Sequence, residues 1–133
     1  MSPEKKELVL EWYEKAEQDI LAADIVAEAN PMLYDVAAFH AQQCAEKNLK
    51  AFLVFNELFP PKVHDLNQLI DLAKGFDFSF EELREAESLS KYSVRTRYPA
   101  DFAVDTQQQI NDILTLAKRV KDFVRQKIAI NNG

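Results

Sequence analysis

The chain has 133 residues, 47% apolar and 29% charged, enough for one domain with a real core. Its formal charge of −6 argues against a wholesale electrostatic grip on nucleic acid, and no apolar run approaches membrane-spanning length. Gly75 and Gly133 are its only glycines, and long periodic stretches without Gly or Pro point to an all-helical protein. Ser2-Pro3 reads as an N-cap with proline at the first helical position. Leu8, Trp12, Ala16, Asp19/Ile20, Ala23 and Ala27 then recur at helical spacing until Asn30-Pro31 stops the run near Ala29. Trp12 reads as a core or interface anchor.

The second stretch, Tyr34 to about Asn56, organises the rest. On a wheel at ~100° per residue, Ala41, Ala45, Leu49 and Phe52 share one side, flanked by Ala37, Ala38 and Asn48. Small residues there let a neighbouring helix come close. Opposite them Gln43, Glu46, Lys47 and Lys50 form a polar strip, with Val36, Phe39 and Val54 above and below it. Three readings of that strip stand open: a polar band inside a bundle, a dimer face, or a solvated surface.

Pro60-Pro61 enforces an extended connector. Asp65 caps a short third helix carrying Leu66, Leu69, Ile70 and Ala73, and Gly75 ends it. Ser79 to Glu82 has capping-box spacing, with Phe78 and Leu83 as a hydrophobic staple, and opens a fourth helix running to Tyr92 or Arg95. Pro99 holds Tyr98 extended, and a loop leads to a second box, Asp105 to Gln108. The last helix carries Ile110, Ile113/Leu114, Ala117, Val120 and Val124, fraying near Ile130. The expected architecture is all-α: a single-domain up-and-down bundle of about five helices spanning 1–133, with its core at about 3–128. Neither long helix has the glycine that a tetratricopeptide repeat needs.

Charge is uneven along the chain. Glu4 to Glu28 holds eight acids and three lysines, and Lys118 to Lys127 five bases and one acid. The basic end complements a helix C-terminus. Cys44, the only cysteine, sits among alanines and reads as a small core residue. The charged N-terminal region lacks an apolar signal segment, so a cytoplasmic protein is the default expectation.

Metal, nucleophile and phosphate-loop motifs are absent from the sequence, so no catalytic residue, metal or cofactor is expected. His40 and His64 read as hydrogen-bonded structural histidines. Lys47 and Lys50 either satisfy a network with Gln43 and Glu46 or receive a phosphate or carboxylate. Tyr92, Arg95, Arg97 and Tyr98 gather where the fourth helix ends. Arginine forks suit phosphate and tyrosine rings stack on bases, which makes a second binding group; alternatively Arg97 pairs with Glu46 and Tyr98 plugs the bundle. On the latch reading Arg97 turns in to take the Glu46 carboxylate, and Arg97→Ala costs ~3 kcal/mol.

The runs AAFHAQQCAEKNLKAFL, PPKVHDLNQLI and YSVRTRYP, in this order between Trp12 and about Val124, resemble the HEPN domain family. The resemblance implies a compact bundle of about five helices that often dimerises, pairing with a minimal nucleotidyltransferase protein in toxin–antitoxin-like fashion, and nucleotide or RNA binding. Many branches cleave RNA without metal, using an arginine followed four to six residues later by a histidine. Here the first arginine is Arg84, and both histidines precede it. The expected function is therefore a HEPN-like domain that dimerises and binds a nucleotide, RNA or a nucleotidyltransferase partner without catalysis of its own. The competing readings are a divergent ribonuclease using His40 or His64 with Arg97, and a pure interaction module.

Overall fold

The computed structural model describes residues 1–93 and 103–132, with side chains through 129. Among the described residues every regular element is helical: α1 (Pro3–Ala29), a single 3-10 turn (Pro31–Leu33), α2 (Tyr34–Phe55), α3 (Leu66–Lys74), a long 3-10 helix (Phe78–Tyr92) and α4 (Gln107–Asn132).

The Ser2 side chain accepts from the Lys5 N–H, and Pro3 opens α1 where its missing donor costs nothing. Asn30 adopts an extended backbone and its side chain accepts from the Met32 N–H, breaking α1 and folding the chain back into α2. α2 packs against α1 and α4, and also against α3 and the 3-10 helix, so it is the element every other one leans on. Ala37, Ala38, Ala41, Ala45, Leu49 and Phe52 are all buried there, and Cys44 is sealed among them.

α2 ends in an arrangement the sequence conceals. Leu58 N–H donates to Leu53 C=O and Glu57 N–H to Val54 C=O, the two bonds of a Schellman cap. The residue that must turn left-handed is Glu57, at φ 63°, where a glycine would normally sit. Leu58 packs against the core just beyond it, completing the motif. By contrast Gly75, the expected stop of α3, ends it in right-handed geometry at φ −62°.

Two expected caps are displaced. Asp77, not Ser79, caps the fourth element, accepting from the Ser79 N–H and hydroxyl. Phe78 is three-quarters exposed while Leu83 is buried, so they do not staple that end together. At α4 the reciprocal box is Thr106 with Gln109, one residue after the expected Asp105–Gln108: Gln109 N–H donates to the Thr106 hydroxyl, and Thr106 N–H to Gln109 Oε1. The fourth element is also a different kind of helix from its neighbours. Long 3-10 runs are uncommon, but the buried side chains here, Phe80, Leu83, Ala86 and Leu89, recur every third residue. A helix with three residues per turn keeps all four on one face, whereas an α-helix would let them drift by ~60° per step.

Phe80 ties the bundle together. Its ring lies 4.2 Å from that of Phe52 on α2 and 5.0 Å, edge-on, from that of Phe123 on α4. The Asp35 carboxylate accepts from the Val104 N–H and fixes the approach to α4 against the start of α2. None of the described helices is long and apolar enough to cross a membrane.

Candidate binding site

The polar strip of α2 splits into two carboxylate-centred clusters. In the first, Asp19 comes from the buried side of α1, where a charge among Ala16, Ile20 and Ala23 needs partners. Its Oδ2 accepts from Lys47 Nζ at 2.6 Å and its Oδ1 from His40 Nδ1 at 2.9 Å. In the second, Glu46 projects from α2 and is nearly sealed from solvent. Its Oε2 accepts from Lys50 Nζ at 3.1 Å; its Oε1 accepts from His64 Nδ1 at 2.9 Å and from Gln42 Nε2 at 3.1 Å.

Each carboxylate thus holds one lysine and one histidine. An ionised carboxylate only accepts, so each ring donates from Nδ1. His64 comes from the proline connector, and its side chain is 61% exposed although the carboxylate it rests on is only 4% exposed. Gln42 braces that connector by a second bond to the His64 carbonyl, and Gln43 donates to Gln42 Oε1 at 2.6 Å. Lys50 Nζ also lies over the Trp12 ring, at 5.8 Å from its centroid. Among the described residues no group of three or more His, Cys, Asp or Glu side chains is placed to hold a metal ion.

On the other flank of α1 a separate network reaches α4. Lys121 meets Glu17 at 2.8 Å and Arg125 meets it at 3.3 Å, while the Arg125 guanidinium stacks 4.6 Å above the Tyr13 ring. The Lys121 hydrogen bond leads in holding the Glu17 carboxyl below its usual range. Burial pushes the Tyr13 hydroxyl up to about 12, and likewise the Cys44 thiol to about 12. Cys44 is therefore an inert core thiol. Asn48, fully buried beside it, donates to the Cys44 carbonyl.

Of the residues singled out from the sequence, Gln43, Glu46, Lys47, Lys50, His40 and His64 fall in the two clusters. Tyr92 ends the 3-10 helix, where its ring packs against the core and Lys91 Nζ lies 5.3 Å from its centroid. Arg95, Arg97 and Tyr98, and with them the expected Arg97–Glu46 latch, lie outside the described residues. Lys50, His64 and Gln42 already satisfy the Glu46 carboxylate without Arg97. Sequence reasoning missed Asp19 and Gln42 as members. The signal for Asp19 was present: an acid at a position of the apolar repeat of α1, which only a buried partner explains.

The HEPN domain family model matches residues 9–127. The chain belongs to the HEPN family. A protein of Methanocaldococcus jannaschii named a putative toxin is 24% identical over 87% of this chain and 88% of its own length. The crystal structure of an archaeal HEPN homologue superposes with a TM-score of 0.72 at 24% identity, covering 90% of this chain and 97% of the other. That likeness bears on the fold, and it agrees with the all-helical bundle expected from the sequence. Within this HEPN domain the matched span contains both carboxylate clusters in full.

Proposed function

We propose that this HEPN domain acts as a homodimer that docks a partner protein, a minimal nucleotidyltransferase chain, in a toxin–antitoxin-like pair, and does not cleave RNA by itself. The observation that carries this reading is the pairing of the α2 lysines. Lys47 and Lys50 are the cations a phosphate would seek, and both already rest on carboxylates of the same chain. Such a strip is a poor anion receptor, and the part of it that reaches solvent, Gln43, Lys47 and His64, is held rigid and neutralised, which suits contact with another protein. The arginine-after-histidine order along the chain supports the same conclusion about cleavage. The toxin name of the M. jannaschii relative supports a paired system.

Two measurements test this. The chain mixed with a purified minimal nucleotidyltransferase is expected to co-elute as one complex. Labelled RNA incubated with the chain alone, with and without chelator, is expected to stay intact. RNA cleavage that survives chelator and disappears in His64→Ala would replace this reading with that of a divergent ribonuclease.

A further inference from the structure

We propose that the outward face of α1 docks a cationic amphipathic helix of another protein. α1 has three distinct sides. One flank carries Asp19, which Lys47 and His40 of α2 neutralise. The other carries Glu17 and Asp24, which Lys121, Arg125 and Lys118 of α4 neutralise. The third side faces solvent, and its composition is unlike that of an ordinary exposed helix face. Leu10, Leu21 and Ile25 fall within ~60° of one another on the wheel, and they are 52%, 53% and 68% exposed. Interleaved with them are Glu7, Glu14 and Glu28, all exposed and none in an ion pair among the described residues. Lys6, at the N-terminal edge, is the one nearby base on this side.

The acids that pack against neighbouring helices are thus paired within the molecule, while those surrounding the exposed leucines are not. Such a strip fits an amphipathic helix that presents aliphatic side chains at i and i+4 and lysines or arginines beside them. Charge also selects against the other occupants. A second copy of the same face would set acids against acids, and phosphate-bearing surfaces would be repelled. Trp12, the candidate interface anchor, lies on the opposite, α2-facing side of α1, so this surface is separate from any homodimer contact that Trp12 makes. The inference does not depend on the partner being a nucleotidyltransferase.

The test uses the full chain and a fluorescein-labelled leucine–lysine peptide with leucines at helical spacing. Controls are a scrambled peptide of the same composition and a leucine–glutamate peptide of the same pattern. Fluorescence anisotropy is expected to show the patterned leucine–lysine peptide binding about tenfold or more tightly than either control. The double variant Leu21→Ser/Ile25→Ser should lose about tenfold, and Glu7→Gln/Glu14→Gln should flatten the salt dependence. All four positions are exposed, so melting curves should match the parent and exclude misfolding as the cause. Equal binding of the scrambled peptide, or unchanged binding by the Leu21/Ile25 variant, overturns the proposal. So does a dimer in sedimentation that the Leu21/Ile25 variant converts to monomer, which assigns the face to a second copy.

Discussion

Glu46 and Lys50 sit one helical turn apart with side chains 4% and 7% exposed, so each is the other's main compensation for leaving water. Removing one partner of such a pair is far more damaging than removing both. Lys50→Met should therefore cost about 3 kcal/mol in urea unfolding, tempered by His64 and Gln42 remaining on the carboxylate, and Glu46→Gln/Lys50→Met should recover a good part of it. A loss below about 0.5 kcal/mol for Lys50→Met would mean that the pair is hydrated in solution. Cys44 gives a second residue-scale prediction. The folded chain holds the thiol proton until about 12, above its ordinary value of 9.0, and Tyr13 shifts the same way from 10.0. The folded state then binds more protons than the unfolded one between those values. Stability is fully present below about pH 9 and is lost as pH rises towards about 12. Thermal melts from pH 8 to 11 should show that decline, and Cys44→Ala should make it shallower. Iodoacetamide should leave the folded thiol unmodified and label it in denaturant.

At the scale of the elements, the ends of the helices carry the clearest expectations. Glu57 occupies a left-handed position without a strong compensating bond, its ion pair to Lys5 being 3.8 Å long with the Glu57 side chain 80% exposed. Glu57→Gly should raise stability by about 0.5–1 kcal/mol by relieving that backbone conformation. A drop in melting temperature would show that the cap does not form. At the start of α4, Thr106→Ala should cost about 1 kcal/mol, whereas Asp105→Ala should cost a few tenths, because the hydroxyl of Thr106 accepts from Gln109 N–H. Equal losses would return the cap to Asp105. Local signals placed four helix starts in the sequence; Ser2 and Asp65 hold those positions, and the other two moved by one or two residues. The reason is physical: Asp, Ser and Thr are nearly interchangeable as caps, and which one acts depends on where the packed turns begin.

For the whole molecule the open quantity is its oligomeric state. Trp12 is half-buried beside the Lys50 ammonium, and Leu8, close to it on the same side of α1, is half exposed. If this side forms the homodimer, the chain should sediment as a dimer at tens of micromolar, an order-of-magnitude concentration for modest affinity. Trp12→Ser should then give monomer, because buried tryptophans dominate interface energies. A monomer at that concentration in the parent chain would remove the homodimer from the proposed function.

Helix content, the central place of Tyr34–Phe55, its small-residue face and the buried Cys44 were all legible in the residues, because helical periodicity and the lack of glycine are local properties. The period-three run Phe80, Leu83, Ala86 and Leu89 also stands in the residues, but the stretch was expected as a helix like its neighbours, and only the structure showed the 3-10 winding. The fate of the polar strip was not legible either. Whether Glu46 meets Lys50, His64 or an arginine, and whether Lys47 reaches solvent or Asp19, depends on which helices lie beside α2. Asp19 and Lys47 are far apart in sequence and joined only by the packing of α1 on α2. Glu57 at the left-handed end of α2 is the same case in the backbone. Nothing in a glutamate announces positive φ, and only the docking of Leu58 on the core imposes it.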